Sequence, residues 1–286
     1  MNYLQNIKSQ DGTTLYTKVN PPRPLEGIAD PLEPVNVIVV HGLAEHLDRY
    51  DHVAQFLSES GYNVIRYDQR GHGRSEGRSM YYDNKDQIIE DLEAIVDYVK
   101  ATFEGKVFLL GHSMGGYTVA MYGTRHPGNV DGIITSGAVT RDNNQFAPEA
   151  YGDRETPRDT YIPNALGDGV CTDPVIRELY AQDAYVPESF SMGLTYAIID
   201  GVLELKEHPE AFTDDVLILH GQDDGIVNPK DSIQFYSEIA SKHKALRIYD
   251  GLAHEILNES SYNQIILSDI VAWIDQVVQR QHNASN

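Results

Sequence analysis

Val107-Phe108-Leu109-Leu110-Gly111-His112-Ser113-Met114-Gly115-Gly116 decides the reading of this chain. Four apolar residues predict a buried strand, and a helix is expected to begin just past Ser113. Between them lies the pattern G-x-S-x-G. On its own that pattern is weak; placed between a strand and a helix it is the signature of a nucleophile elbow. A sharp strand-to-helix turn puts the serine in a strained backbone conformation, and side chains two residues to either side would collide. The serine hydroxyl then points out at the carboxyl end of the sheet, where open α/β sheets bind ligands. The first amides of the following helix lie nearby with their positive dipole end.

Outward from this run, short β-rich segments alternate with amphipathic helices, which predicts βαβ units and a mostly parallel sheet. On the N-terminal side, Tyr3 to Val19 reads as two edge strands joined at Asp11-Gly12, followed by a proline-rich surface loop from Pro21 to Pro34. Val35 to Val40 and Tyr62 to Tyr67 read as strands, with a helix from Asp51 to Ser60 between them. Lys85 to Thr102 is a helix with Ile88, Leu92, Ile95 and Val99 on one face. On the C-terminal side Gly132 to Thr135 is a further strand. The rhythm then breaks from Arg141 to Lys206, with no buried strand expected, and resumes at Val216 to Leu219. A helix after Pro229, a strand at Leu246 to Tyr249 and a final helix from Gln264 to Gln279 complete the chain. An excursion of that length between two strands is usually functional. The expected division is a core formed by residues 1–140 and 207–286, with an inserted, mainly helical cap at 141–206.

A serine hydroxyl needs a base to take its proton, and in the chain order Ser, acid, His that base follows the last strand. His126 sits at a helix end, His208 in a polar stretch, His220 at a strand end, His243 in a basic run and His282 in the tail. His254, in Gly251-Leu252-Ala253-His254-Glu255, holds the right place. The acid is expected at the end of an earlier strand. Asp223 and Asp224 both qualify, and Asp142 is a third possibility; the residues themselves do not choose.

The chain has 22 basic and 43 acidic residues, a net charge of −21. Such a field repels phosphate backbones and anionic lipid surfaces, so no nucleic-acid partner is expected and a neutral or cationic substrate is favoured. Cys171 is the single cysteine, which allows no internal disulfide and fits a reducing compartment. Met1 to Gln10 carries no apolar run of the kind that marks a signal peptide, and no segment approaches the length of a membrane span. A cytoplasmic location is therefore expected. No residues have metal-ligand spacing, and no cofactor is implied.

Several motifs together resemble those of the monoacylglycerol lipases and lysophospholipases. They are Gly111 to Gly116, His41-Gly42-Leu43-Ala44-Glu45-His46 with Arg49-Tyr50, Asp68-Gln69-Arg70-Gly71-His72-Gly73-Arg74-Ser75, Gly221 to Val227, and Tyr249 to Glu255. The resemblance implies an α/β-hydrolase fold with a small cap, Ser113 as nucleophile, Asp224 as the acid in a Gly-x-x-Asp-x-x-Val pattern, and His254 as base. It also implies that the Leu43 amide, together with that of Met114, forms the oxyanion hole. Leu43 stands where the family usually has a small residue, which implies a narrower acyl pocket. The implied substrate is a neutral small-molecule or lipid ester such as a monoacylglycerol. Short-chain or aryl esters of a general carboxylesterase are the second reading, and a non-catalytic ligand-binding protein on the same fold is the third. Tyr185, Val186, Phe190, Met192 and Leu194 are candidates for an acyl channel or, equally, for cap core. Gly71 to Ser75 reads as a structural turn. Glu45, His46 and Arg49 are expected to form a polar network under the oxyanion loop.

Overall fold

The computed structural model describes residues 2–27 and 31–285, so residues 28–30 of the proline-rich loop lie outside it. Ten strands run in chain order: β1 (Tyr3–Lys8), β2 (Thr14–Asn20), β3 (Val35–Val40), β4 (Asn63–Tyr67), β5 (Lys106–His112), β6 (Gly132–Ser136), β7 (Tyr161–Pro163), β8 (Ser189–Ser191), β9 (Val216–Gly221) and β10 (Lys244–Tyr249). Seven α-helices join them: α1 (Asp51–Glu59), α2 (Asp86–Thr102), α3 (Met114–Arg125), α4 (Pro174–Gln182), α5 (Met192–Glu207), α6 (Lys230–Glu238) and α7 (Asn263–Ser285). Eight strands form one sheet in the order β1-β2-β4-β3-β5-β6-β9-β10. From β4 to β10 all neighbours are parallel; β1 and β2 add an antiparallel edge.

The continuous apolar runs of the central strands follow from helices on both sheet faces. In β3, Ile38 and Val40 face a core shared with α2, α3, α5 and α6, whereas Val37 and Val39 face a second core built with α1 and α7. Leu109 against Phe108 and Leu110 repeats the division in β5. Alternating side chains thus fill two layers, so nearly every position is apolar, and the buried exception in β3, Asn36, is hydrogen-bonded to the Glu104 and Lys106 carbonyls and to Asn63.

Between β6 and β9 the chain departs from the βα rhythm, as its sequence suggests, but it contains a strand pair that the sequence reading lacked. β7 and β8 form a two-stranded antiparallel ladder. β-Propensity over three residues gives too short a period to recognise, and Phe190 and Ser191 are buried only because β8 lies against the core, with Ser191 N–H donating to the Met80 carbonyl at 3.1 Å. The Lys206 boundary also falls inside α5, whose Leu194, Ala197, Ile198, Val202 and Leu205 belong to the main core. The segment is therefore anchored through its last helix, while the stretch before α4 is largely irregular.

Candidate active site

β5 and α3 meet at Ser113, which has φ 54° and ψ −117°, a conformation that only a tightly determined turn imposes on a residue with a side chain. The flanking glycines are a steric requirement. A Cβ at Gly111 would lie 2.1 Å from the Gly115 carbonyl oxygen, one at Gly115 2.1 Å from that of Val40, and one at Gly116 2.5 Å from Ala138 Cβ. Ser113 N–H donates to the Ser136 carbonyl at 2.9 Å, which extends the β5–β6 ladder through the turn and fixes its height above the sheet.

One sheet position further along, the turn after β9 carries Asp224. Its Oδ1 accepts the amides of Ile226 and Val227, both at 2.9 Å. Its Oδ2 lies 2.7 Å from His254 Nδ1 and 3.0 Å from His220 Nε2. Burial alone raises the carboxyl pKa, but His254, His220 and the hydrogen bonds outweigh it and hold Asp224 well below the usual carboxylate range. The same pairing acts on His254. Burial lowers its pKa, yet the Asp224 charge and hydrogen bond, with Glu255 and Glu45 behind, leave it raised. With Nδ1 committed to Asp224, Nε2 is the nitrogen free to take a proton.

The structure brings Asp224 and His254 into direct contact and sets Ser113 one residue from the same imidazole. His112, its chain neighbour, packs its ring against that of His254, with centroids 4.6 Å apart and planes tilted by 53°. Among the described residues no hydrogen bond joins the Ser113 hydroxyl to the His254 ring, and such bonds are often long in unliganded sites. Of the other two aspartates, Asp223 is exposed, and Asp142 binds Tyr151 Oη at 2.6 Å. The β9 turn and the His254 loop interlock: Gln222 N–H donates to the Tyr249 carbonyl and Asp223 N–H to that of Leu252. A Cβ at Gly137 would come within 3.2 Å of His254 Nδ1, so that glycine leaves room for the ring.

Leu43 and Met114 border the same cavity as Ser113, with Val139, Asp142, Phe146, Leu166, Ile198, Ile226 and Val227. The free space is about 50 Å³. The acyl-channel candidates lie elsewhere: Phe190 and Leu194 are in the main core, and Met192 packs with Ala147, Ala150, Tyr196 and Ile199. Tyr185 is exposed over Arg74, 4.1 Å from ring centroid to guanidinium, and Val186 packs near Cys171 and Tyr180. The Gly71 to Ser75 segment is a structural turn around Asp68, whose carboxylate accepts the amides of Leu47 and Arg74.

Residues 34–261 match the Hydrolase_4 family, described as serine aminopeptidase, S33. The chain belongs to this family. It is 30% identical over 245 residues to a monoacylglycerol lipase of Mycolicibacterium smegmatis, an alignment covering 83% of this chain and 87% of the relative. Among solved structures it is similar to a soluble variant of the Saccharomyces cerevisiae monoglyceride lipase in complex with a substrate analogue, with TM-score 0.82, 25% identity, and coverage of 97% of this chain and 95% of that one. The Paleococcus ferrophilus monoacylglycerol lipase superposes with TM-score 0.79 at 25% identity, covering 92% and 99% of the two chains. The sheet, its flanking helices and the elbow are thus those of an α/β hydrolase resembling the monoacylglycerol lipases.

In this Hydrolase_4 member a buried charge network underlies the Gly42-Leu43 loop. Glu45 Oε2 accepts the Gly42 amide at 2.7 Å and the Tyr50 hydroxyl at 2.9 Å; Oε1 accepts Arg49 Nε at 3.0 Å. Arg49 also binds Glu255, next to His254. One guanidinium between two buried carboxylates cannot fully satisfy both: burial and the Glu45 charge push Glu255 up, while Arg49 and its neighbours overcome burial to hold Glu45 down. His46, expected in this network, bonds instead to Asp183 at 2.7 Å, across to the inserted segment. His220 is the partner that sequence reasoning passed over. The sequence carried no signal for this contact, since His220 ends β9 and Asp224 lies in the turn after it, where helical i,i+4 neighbourhood does not apply.

Proposed function

We propose that this chain is a serine hydrolase that cleaves neutral carboxylic esters of the monoacylglycerol type through an acyl-enzyme on Ser113. The observation that carries the reading is the His254–Asp224 pair beside a serine held at φ 54°. The family membership and the similarity to monoacylglycerol lipases support it.

The mechanism of this reading is acyl transfer to water. Ser113 Oγ attacks the ester carbonyl as its proton passes to His254 Nε2, and the imidazolium formed is stabilised by Asp224. The amides of Leu43 and Met114 receive the negative charge on the former carbonyl oxygen. Collapse breaks the bond to the alcohol, which leaves with the proton from His254. Water then gives a proton to His254 and its oxygen to the acyl carbon, releasing the acid and restoring Ser113. Glu45 acts as a positioning residue, holding Gly42 and hence the Leu43 amide through its hydrogen bond.

Residues 141–206 act as the cap in this reading. Phe146 and Leu166 of this segment line the space of about 50 Å³ beside Ser113. Movement of that side of the wall would widen the way for a long acyl chain. The test is a hydrolysis panel of long-chain monoacylglycerols, lysophospholipids, short aryl esters and an aminoacyl arylamide, with Ser113→Ala as control. The expected result is turnover of the monoacylglycerols, lost in the variant; turnover of short aryl esters alone would replace the lipase reading with that of a general esterase.

A further inference from the structure

The Ser113 cavity is apolar on nearly every side, and one carboxylate breaks the pattern. Asp142 lines it together with Leu43, Met114, Val139, Ile198 and Ile226. It is buried, at 6% exposure, and has φ 50°, a left-handed conformation uncommon for a residue with a side chain. The cause lies behind it. Asp231, fully buried at the start of α6, accepts four consecutive backbone amides: Thr140 at 3.1 Å, Arg141 at 2.9 Å, Asp142 at 2.7 Å and Asn143 at 3.0 Å. This wrap over-determines the loop after β6 and directs Asp142 toward the cavity whatever its own side chain does.

The Asp142 carboxylate uses only part of its capacity. Oδ2 accepts the Tyr151 hydroxyl at 2.6 Å and Oδ1 the Phe146 amide at 3.2 Å. An ionised carboxylate has about four acceptor positions, so about half remain, on a group that forms part of the wall around Ser113. Placing a charge in an apolar wall is costly unless it is paired when the site is filled. Such a group discriminates in two directions. A ligand that donates a hydrogen bond to it gains, and an anionic ligand is repelled.

We propose that Asp142 is a specificity-determining residue of the Ser113 pocket: it accepts a hydrogen bond from a free hydroxyl on the alcohol part of a neutral ester and turns away esters whose alcohol part carries an anionic group. This rests on Ser113 being the nucleophile of an ester hydrolase. It narrows the substrate class to acyl esters of neutral polyols and separates them from phosphate-bearing lysophospholipids. The chain's net charge of −21 acts in the same direction from a distance.

The experiment compares kcat/KM for three esters of one acyl chain, the glycerol monoester, the ethyl ester and the glycerol-phosphate monoester, in wild type, Asp142→Asn and Tyr151→Phe. Asparagine tolerates φ above zero, and both contacts survive with its oxygen accepting the Phe146 amide and its Nδ2 donating to the Tyr151 hydroxyl oxygen, which can accept as well as donate. The expected result for Asp142→Asn is a fall of about tenfold in the glycerol-to-ethyl preference, the worth of one hydrogen bond to a charged group. The phosphate ester should gain about tenfold relative to the glycerol ester, with the ethyl ester changed by less than about twofold. Tyr151→Phe should leave the ratios unchanged. The inference is overturned if Asp142→Asn scales all three esters alike, or if Tyr151→Phe reproduces its effect, since Asp142 would then only anchor Tyr151. Wild type inert toward all three esters would overturn the esterase reading itself; wild type active on the ethyl ester, with ratios indifferent to Asp142→Asn, would overturn this inference alone.

Discussion

The elbow at Ser113 and the irregular part of the inserted segment, from which Phe146 and Leu166 reach the Ser113 cavity, are built on opposite principles. On the elbow side there is no room for a single added carbon: a Cβ at Gly111 or Gly115 would lie 2.1 Å from a backbone oxygen. In the irregular part of the inserted segment a Cβ at Gly152 would meet nothing within 4 Å, and one at Gly167 only the Tyr180 ring at 3.8 Å, whereas in its last helix, α5, a Cβ at Gly201 would lie 1.6 Å from Tyr117 Oη, so the looseness stops where the segment joins the core. Before α5, Val175, Leu179 and Tyr185 leave apolar surface in solvent. A reacting centre must hold its groups within a fraction of an ångström, whereas a wall that admits a long substrate has to yield. In the proposed function the elbow carries the chemistry and the irregular segment the admission of substrate, and substitutions on each side should give different kinds of effect.

The largest effect is expected at the rigid side. Asp224→Asn keeps the shape of the turn but removes the charge that stabilises the imidazolium and disturbs its tautomer. It should lower kcat by about 10³–10⁴ with little change in KM, as steady-state kinetics on a soluble ester would report. A KM effect alone would place Asp224 outside the chemistry. Next comes the support beneath the oxyanion loop. Glu45→Ala leaves the Gly42 amide, Arg49 Nε and the Tyr50 hydroxyl without their acceptor, with Arg49 left to its ion pair with Glu255. Breaking such a buried pair costs about 3–5 kcal/mol, visible as a lower melting temperature. Displacement of the Leu43 amide should cost a further factor of about 10² in kcat. A variant that loses stability but keeps kcat would make Glu45 purely structural.

The pH profile follows from the raised His254 pKa. The base must be neutral, and its folded-state value lies above the ordinary value of about 6.5. The kcat/KM limb of the free enzyme should therefore fall as pH drops through a midpoint above 6.5, about tenfold per unit below it. A midpoint at or below 6.5 would contradict the Asp224 pairing. The smallest effect belongs to the yielding side. Asp183→Ala removes the tie between His46 and the inserted segment. A partly exposed pair of this kind is worth about 0.2–1 kcal/mol, so long-chain esters should gain about 1.5- to 5-fold in kcat/KM while short esters stay unchanged. Equal gains for both would detach the tie from admission.

Legibility in the sequence divides along the same line. β3 and β5 were readable because strands covered on both faces are apolar in a continuous run, as Val37, Ile38, Val39 and Val40 are. The elbow was readable because its glycines answer to local sterics, and His254 because chain order fixes which loop it occupies. Asp224 could not be separated from Asp223 by residue chemistry, since the choice depends on which of two neighbouring carboxylates turns inward; the resemblance to the family favoured Asp224. The inserted segment was the least readable. Phe190, Met192 and Leu194 look alike as candidates for core or channel, because an apolar side chain does not say which of two apolar environments it enters. The Asp231 wrap joins residues about ninety positions apart, a separation at which local patterns carry no information. Asp142, left over as a spare candidate acid, gains its place in the cavity only from that wrap.

The most direct test of the account is the site at which a fluorophosphonate ester labels the folded protein, read by mass spectrometry of its peptides. The account predicts a single adduct on Ser113, formed in wild type and slowed strongly in His254→Ala, with circular dichroism unchanged between the two. A label on another residue, or a folded and ester-hydrolysing protein that takes no label on Ser113, would contradict it.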